Sequence, residues 1–256
     1  MKSISQLLFH TSRRLFKALG LATILVTLSL KAQDDTMAQP TESVSTSDLH
    51  YLAPNAISAA TLLAPPPLPD SPEQAADMDT VRNVYHTAGD MDKNAAYGEK
   101  KFTVFNFTGA VGPFFVESNL PKTTKFFKKV LTDAAAITDA GKDYFKRPRP
   151  FVTDPSLANG KLEKSFSYPS GHSTESMVLA LVLAEMFPDK QDAIIAHARQ
   201  IGWHRVQIAR HYPTDIYAGR TLAKNIVREM NKSADFQHDL TEAKVEVAAV
   251  QAAAKN

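Results

Sequence analysis

Residues 169–172, Pro-Ser-Gly-His, bring together a hydroxyl group, a residue without a side chain and a titratable imidazole. The apolar run at residues 177–187 follows them and predicts that they open a helix. Because the N–H groups at a helix N-terminus are unpaired and the dipole favours negative charge, such a site can bind an anion. Gly171 would let the backbone approach the anion, and His172 would exchange protons. An ordinary turn with a helix cap is the alternative that these residues alone leave open.

Arg205 lies on the apolar face of another predicted helix. The other residues on that face are Ile194, Ala198, Ile201 and Ile208. A buried guanidinium group without a partner is costly, so either an acidic side chain or a bound anion must meet Arg205. For an isolated arginine, an internal salt bridge is the expected answer.

His211 and Asp215 follow in the sequence, at a helix break that Pro213 predicts. A carboxylate beside an imidazole would hold the ring in one tautomer and leave its other nitrogen free to attack an electrophile. Lys142 and Arg149 supply two more cations, from a helix end and from a stiff turn between prolines. Taken singly, these two cations predict only a solvated basic patch, and a histidine near a turn is often merely solvated.

Helical patterns surround these residues. After Pro121, apolar residues recur at intervals of three and four, which predicts a helix of about six turns. Ser71 and Gln74 form a capping box for an earlier helix, Asp189 is the predicted cap of the helix that carries Arg205, and Thr214 that of the helix at residues 215–231. Alternating strand patterns are nearly absent, so the sequence predicts an all-α fold, a helical bundle.

The N-terminus predicts export. Residues 1–32 combine a basic region with a short apolar stretch at 21–30, which is typical of a signal peptide with cleavage after Ala32 or Ala38. Residues 12–16 resemble the core of a twin-arginine signal, and the general secretory route stays open. An uncleaved anchor is the alternative. We expect a periplasmic protein, with secretion as a further possibility.

The remaining segments are predicted from their composition. Residues 33–60 are polar without periodicity and predict a flexible segment. The proline-rich residues 62–69 must be extended, as a strap across their own domain or as a ligand for a partner. The folded domain is predicted at residues 61–231, followed by a polar, Ala-rich tail of marginal helicity at 232–256.

Composition excludes several function classes. The chain of 256 residues has a formal net charge of +2 and no basic run, so nucleic acid is not an expected partner. The absence of cysteine removes thiol catalysis, disulfides and cysteine-based metal sites. No run of about eighteen apolar residues follows residue 30, so no integral membrane domain is expected.

The combined spacing resembles the three-part signature of the type 2 phosphatidic acid phosphatase (PAP2) superfamily. The parts are Lys142 with Arg149-Pro150, then residues 169–172, then Arg205 with His211 and Asp215. Within the superfamily, residues 63–77, 149–151 and 168–173 are similar to class A bacterial non-specific acid phosphatases. The resemblance covers about residues 60 to 231.

This sequence departs from the family pattern at two positions. His204 stands where the family has a serine, directly before Arg205, and Ala209 stands where a glycine is common. These departures put the substrate preference and the pH optimum in question, while the core reaction is retained.

The resemblance implies a helical bundle of the PAP2/haloperoxidase type and a phosphoryl transfer in two steps, without metal or cofactor. His211 would attack phosphorus and form a phosphohistidine, oriented by Asp215. His172 would protonate the leaving alkoxide and then activate water. The phosphate oxygens would be held by Lys142, Arg149, Ser170, Gly171 and Arg205.

The expected function is therefore that of an exported acid phosphatase of broad specificity. Its expected substrates are nucleotides, sugar phosphates and aryl phosphates, and the resemblance also implies a homodimer. Three alternatives remain at this point: a peripheral lipid phosphatase, a vanadium-dependent haloperoxidase, and a non-catalytic phosphate-binding protein in which His204 marks a decayed site.

Overall fold

The computed structural model describes residues 49–99 and 102–254, and these ranges contain helices and no β-strand. The predicted all-α bundle is therefore confirmed. The α-helices in these ranges are α1 (Ala59–Leu62), α2 (Pro72–Thr87), α3 (Asp90–Gly98), α4 (Thr108–Val111), α5 (Pro121–Phe145), α6 (Pro150–Thr153), α7 (Gly171–Met186), α8 (Gln191–Gln207), α9 (Pro213–Met230) and α10 (Ala234–Ala253). None of them is both long and apolar enough to span a bilayer. The predicted signal peptide lies outside the described residues.

Helix α7 occupies the centre of the bundle and packs against α5, α8 and α9. Its side chains are buried on nearly every side, as expected of a helix that is apolar all round. Its hydroxyl groups are satisfied by backbone carbonyls: Ser173 Oγ donates to Ile216 O (2.8 Å) and Thr174 Oγ1 donates to Ser170 O (2.9 Å). These bonds tie the first turn of α7 to α9 and to its own cap.

Two glycines on neighbouring helices allow close approach to the start of α7. A Cβ atom at Gly219 would lie 2.8 Å from the Ser170 carbonyl oxygen and 3.1 Å from the Thr174 nitrogen. A Cβ atom at Gly141 would lie 3.2 Å from Pro169 Cδ. The backbones of α9 and α5 therefore pack directly against the Pro-Ser-Gly-His turn. A residue larger than glycine at position 219 or 141 would prevent this close approach.

Helix starts differ in part from the predictions. The Ser71 cap is confirmed, since Ser71 Oγ accepts from Gln74 N (3.1 Å), but the Gln74 side chain accepts from Arg147 (2.6 Å) rather than closing a capping box. The prediction for Asp189 is wrong because it lies in a 3-10 turn, and the residue at the start of α8 is Lys190, with no side-chain cap.

The predicted cap of α9 is also wrong. This helix begins at Pro213 with Tyr212 in the cap position. The Thr214 hydroxyl instead donates to the Asp77 carboxylate of α2. Because proline is favoured in the first turn of a helix, Pro213 opens α9 as well as ending the preceding segment.

The C-terminal segment contradicts the prediction of a marginal appendage. Helix α10 runs from Ala234 to Ala253 and buries Phe236, Leu240 and Val247 in the main core. Glu246 of α10 accepts from the Thr123 backbone nitrogen (2.8 Å), which caps the start of α5. The helix is stabilised by this packing rather than by its own propensity.

The described part of the predicted flexible segment is also folded. Tyr51 and Leu52 are buried, and their backbone nitrogens donate to the Asp133 carboxylate at 2.8 and 3.1 Å. The proline-rich strap follows, extended over residues 64–68. Tyr168 Oη donates to Ala64 O (2.5 Å), so the strap lies against its own domain, as predicted.

Candidate active site

A cavity of about 530 Å³ opens where α5, α7 and α8 meet the loops before α6, α7 and α9. It is lined by Asp139, Lys142, Asp143, Arg149, Glu163, Ser165, Gly171, His172, Glu175, Arg205 and His211. Most of the residues predicted to form a site from three distant parts of the sequence are therefore brought together. Ser170 and Asp215 are fully buried and do not line this cavity.

His211 has a defined tautomer because both ring nitrogens have partners. Its Nδ1 lies 3.2 Å from Asp215 Oδ2, and its Nε2 lies 3.2 Å from an Arg149 terminal nitrogen. A guanidinium group can only donate, so Nε2 accepts and carries no proton. The proton is therefore on Nδ1, where the Asp215 carboxylate accepts it. Nε2 keeps a lone pair beside the cavity.

Asp215 is held by a buried network of donors. Arg147 donates to Asp215 Oδ1 (2.6 Å), and Ser167 Oγ and the Tyr212 backbone nitrogen donate to Oδ2 at 2.5 and 2.9 Å. Arg147 also donates to Asp77 (2.8 Å), so α2 supports the same carboxylate through this arginine. A carboxylate that accepts this many bonds has little freedom to move.

These contacts also decide the charge of the pair. Burial lowers the pKa of His211 to about 3, and the Arg149 charge acts in the same direction, against the opposing influence of Asp215. Burial by itself would raise the pKa of Asp215, but the hydrogen bond from His211 and the charge of Arg147 outweigh burial and lower it. The pair is therefore an ionised carboxylate with a neutral imidazole, which is the form of histidine that can act as a nucleophile.

His172 has a different arrangement. Its ring bonds to the Glu99 backbone carbonyl, and its Nε2 is buried without a hydrogen-bond partner among the described residues. Burial lowers the pKa of His172 to about 3, assisted by the charges of Arg205 and His211. Nε2 is thus the ring atom available to a ligand in the cavity. A bound anion would raise this pKa by stabilising the protonated ring.

His204, which stands where the PAP2 pattern has a serine, is connected to His172 through Glu99. His204 Nδ1 lies 2.6 Å from Glu99 Oε1, and both side chains are buried. Glu99 is the residue whose backbone carbonyl holds the His172 ring. His204 therefore belongs to an intact hydrogen-bonded chain that ends at the cavity.

The two arginines are held in different ways. Arg149 donates to Ser165 O (2.7 Å) and Arg210 O (3.0 Å), so its position is set by backbone atoms. Arg205 pairs with Glu163 at 2.9 Å, while its Nε is buried without a partner among the described residues. The sequence predicted that Arg205 would meet either an acidic side chain or a bound anion, and the structure provides the acidic side chain, Glu163. The Arg205 Nε donor is left for a ligand. Burial lowers the pKa of Arg205 to about 10, so it stays cationic in acid.

Lys142 and Gly171 also line the cavity. Lys142 Nζ bonds to Asp139 at 2.9 Å and lies 3.3 Å from the position that a Cβ atom at Gly171 would occupy. Ser170 is the N-cap of α7, and its Oγ accepts from Ser173 N at 3.4 Å. The hydroxyl of Ser170 therefore serves the helix start in this structure, and its role as a phosphate ligand stays a prediction.

Several residues of the site were not predicted from the sequence. In the sequence, Arg147 predicts only part of a helix stop after α5, although it repeats the Arg-Pro pattern of Arg149. Glu163 and Glu175 carry no local signal, since a single acidic residue is usually solvated. The described residues contain no cluster of three or more His, Asp or Glu side chains arranged to hold a metal ion.

Comparisons with known proteins give the family. The PAP2 superfamily model matches residues 128–231. A non-specific acid phosphatase of Providencia stuartii is 31% identical in an alignment of 217 residues that covers 78% of this chain and 86% of the relative. An acid phosphatase of Zymomonas mobilis is 31% identical in an alignment of 199 residues that covers 72% of this chain and 74% of the relative. A Lipid A 1-phosphatase of Rhizobium etli is 35% identical over 99 residues, 38% of this chain and 41% of the relative. The family predicted from the three-part signature is confirmed, and the chain belongs to the PAP2 superfamily, together with the bacterial non-specific acid phosphatases.

Proposed function

We propose that this protein is an exported acid phosphatase that hydrolyses phosphate monoesters of broad structure through a phosphohistidine, without a metal ion. The observation that carries the proposal is the state of His211, a neutral imidazole with an unprotonated Nε2 at a cavity that also contains Lys142, Arg149 and Arg205. The named activities of the relatives support the phosphatase reaction.

In the first step, a phosphate monoester enters with its oxygens toward Arg149, Arg205 and Lys142. A phosphate oxygen takes over the Arg149 donor, which frees the lone pair of His211 Nε2. Nε2 attacks phosphorus, a P–N bond forms, and the ester P–O bond breaks with its electron pair on the leaving oxygen. With the phosphate anion bound, the ring of His172 is protonated on Nε2, and it gives this proton to the leaving oxygen. Asp215 stabilises the positive charge that develops on the His211 ring.

In the second step, water attacks the phosphorus of the phosphohistidine. His172 Nε2, now neutral, accepts a proton from the water, and the P–N bond breaks with its electron pair returning to His211. Inorganic phosphate leaves, and both histidines return to their starting protonation. In this scheme every assigned role involves the phosphate group or the leaving oxygen and none involves the rest of the ester, so nucleotides, sugar phosphates and aryl phosphates are the expected substrates.

The test is hydrolysis of p-nitrophenyl phosphate by the wild-type protein with and without a chelator. We expect no loss on chelation, and a loss of at least about 1,000-fold in kcat for His211→Ala, because the nucleophile is removed. An acid-labile phosphoprotein should be trapped on rapid quenching of the wild type and not of the variant.

His238→Ala is the matched control, since His238 is an exposed histidine of α10. It should retain wild-type activity. Loss of activity on chelation would contradict the metal-free reaction, and a His211→Ala variant as active as His238→Ala would contradict the phosphohistidine.

The proposal includes export and self-association. A basic and apolar N-terminus supports export to the periplasm, and cell fractionation with activity found only in the cytoplasm would contradict it. The resemblance to class A enzymes supports a homodimer. Light scattering of the purified protein should then give about twice the mass of one chain, and a mass of one chain would contradict it.

A peripheral lipid phosphatase is the second candidate, favoured by the similarity to a Lipid A 1-phosphatase over 99 residues. Comparing a soluble nucleotide with phosphatidic acid in detergent separates the two functions. The acid phosphatase proposal predicts higher kcat/KM for the soluble nucleotide, and the reverse order would favour the lipid substrate.

A further inference from the structure

Glu175 is one of four acidic residues that line the cavity beside the cations Lys142, Arg149 and Arg205. It lies on α7 one helical turn after Gly171, so both residues share one face of the helix. Glu175 Oε1 lies 3.7 Å from the position that a Cβ atom at Gly171 would occupy, and Lys142 Nζ lies 3.3 Å from the same position. The carboxyl of Glu175 and the ammonium of Lys142 therefore flank Gly171 together.

The Glu175 carboxyl differs from the other acidic groups at the cavity because it is half-buried and has no partner among the described residues, whereas Asp143 is exposed. Asp139 is bonded to Lys142 at 2.9 Å, and Glu163 is paired with Arg205 at 2.9 Å. For Glu175, in contrast, the described residues provide neither a hydrogen bond nor an ion pair. A partly buried carboxyl without a partner is costly when it is ionised, so its neutral form is favoured.

Charged and titratable groups from the neighbouring elements line the cavity together with Glu175. They are Lys142, Asp139 and Asp143 of α5, His172 of its own helix, Arg205 of α8, Arg149 and Glu163 of the loops, and His211 before α9. Burial raises the pKa of Glu175 to about 7, the Lys142 charge opposes this rise, and the Asp139 charge adds to it. Glu175 is therefore mostly protonated in acid and ionised above neutral pH.

We propose that Glu175 is a further phosphate-binding residue, whose protonated carboxyl donates a hydrogen bond to the phosphate oxygen held at Lys142 and the Gly171 N–H. When Glu175 is ionised it can only accept hydrogen bonds, and its charge repels the anion. This inference rests on the proposed function, because it takes the cavity as the phosphate site. It gives the preference for acid a second cause, beside the protonation of His172.

The experiment compares wild type with Glu175→Gln, whose amide donates a hydrogen bond at every pH. The probe is sulfate, a tetrahedral dianion whose charge is constant between about pH 5 and about pH 9, measured as a competitive inhibitor of p-nitrophenyl phosphate hydrolysis. In the wild type, ionisation of Glu175 should weaken sulfate binding by up to tenfold for each pH unit above about 7. In Glu175→Gln that contribution should vanish. The sulfate inhibition constant of the wild type, divided by that of Glu175→Gln, should therefore be near 1 at pH 5 and about 10 or more at pH 8.5.

The control is Glu185→Gln, an exposed acid near the other end of α7, which should follow the wild-type pH dependence. An inhibition-constant ratio that stays constant with pH for Glu175→Gln would overturn the inference. If Glu175→Gln does not fold, Glu175→Ile should likewise lose the pH dependence, because it has no titrating group.

Sulfate binding can also be followed as a shift in thermal unfolding, which does not require turnover. A wild-type protein that binds sulfate but hydrolyses no ester would contradict the proposed function, and the ratio obtained from unfolding would still decide the role of Glu175. If both proteins hydrolyse the ester and the ratio of their sulfate inhibition constants does not change with pH, the inference about Glu175 is overturned while the proposed function stands.

Discussion

The two cavity histidines differ in which ring nitrogen their neighbours leave free. His211 donates a hydrogen bond from Nδ1–H to Asp215 and keeps a lone pair on Nε2 beside Arg149. His172 is held through its other nitrogen by the Glu99 carbonyl, and its Nε2 has no partner among the described residues. The first arrangement suits a nucleophile and the second suits a group that gives and takes a proton. Their different roles follow from hydrogen bonds rather than from the residue type.

At the residue scale we predict that His204→Ser lowers kcat by between about 10- and 100-fold with little change in KM. A serine is too short to replace the 2.6 Å contact of His204 with Glu99, whose carbonyl positions His172. Steady-state kinetics across pH measure this, and the falling limb of the kcat profile at high pH should shift because that limb reports His172.

His197→Ser is the control for this prediction. His197 is also on α8, but its ring bonds to the Asn106 carbonyl at 2.9 Å, away from the cavity. It should keep the wild-type kcat. The same kcat and pH profile in both variants would show that His204 has no positioning role.

At the scale of elements, the start of α7 is positioned by close helix packing. Gly219 of α9 and Gly141 of α5 both face the Pro-Ser-Gly-His turn. At each of these positions a Cβ atom would clash with its neighbours. The backbone N–H groups that would hold phosphate belong to that turn. Packing between helices therefore sets the geometry of the proposed phosphate site.

At this scale we predict that Gly219→Ala destabilises the protein by about 1–3 kcal/mol and lowers kcat/KM. The added Cβ would lie 2.8 Å from the Ser170 carbonyl oxygen and 3.0 Å from Ser173 Cβ, and backbone atoms cannot yield without moving α7. Urea unfolding and p-nitrophenyl phosphate hydrolysis measure the two effects.

Gly109→Ala is the matched substitution, because a Cβ atom there would meet no other atom within 4 Å. It should leave the urea midpoint and kcat/KM close to wild type. Equal stability and activity in the two variants would contradict the packing argument.

At the scale of the whole molecule, folding buries two imidazoles in neutral form. The pKa of both His172 and His211 falls from 6.5 to about 3 on folding. Between these values the unfolded chain binds protons that the folded protein does not bind. Stability therefore rises with pH in this window, and it is lost as the pH falls toward 3.

We predict that, as the pH is lowered from about 6 to about 4, each of these histidines decreases the free energy of unfolding of the ligand-free protein by about 1.4 kcal/mol per pH unit. Chemical unfolding measured at several pH values tests this. His172→Gln should have a slope smaller by about the contribution of one histidine, whereas the exposed His238→Gln should keep the wild-type slope. Identical slopes in all three proteins would contradict the burial of a neutral His172.

Local patterns in the sequence determined the fold class and most of the candidate site. The apolar periodicity of α5 and α9 depends only on neighbouring turns, so it can be recognised before the fold is known. The spacing from Arg205 to His211 and Asp215 likewise spans one helix break. This spacing and the Pro-Ser-Gly-His turn identified both histidines, whereas Lys142 and Arg149 were assigned to the candidate site only through the resemblance to the PAP2 signature.

Only the tertiary structure decided which groups pair over long distances. Arg147 joins Asp215 to Asp77, which are 68 and 70 residues away from it, and Glu99 meets His204 across 105 residues. Helix α10 has weak amphipathic character and became a core element because α5 offers it an apolar face. The physical reason is the same in each case: a hydrogen bond or a buried contact needs two partners, and the fold brings them together.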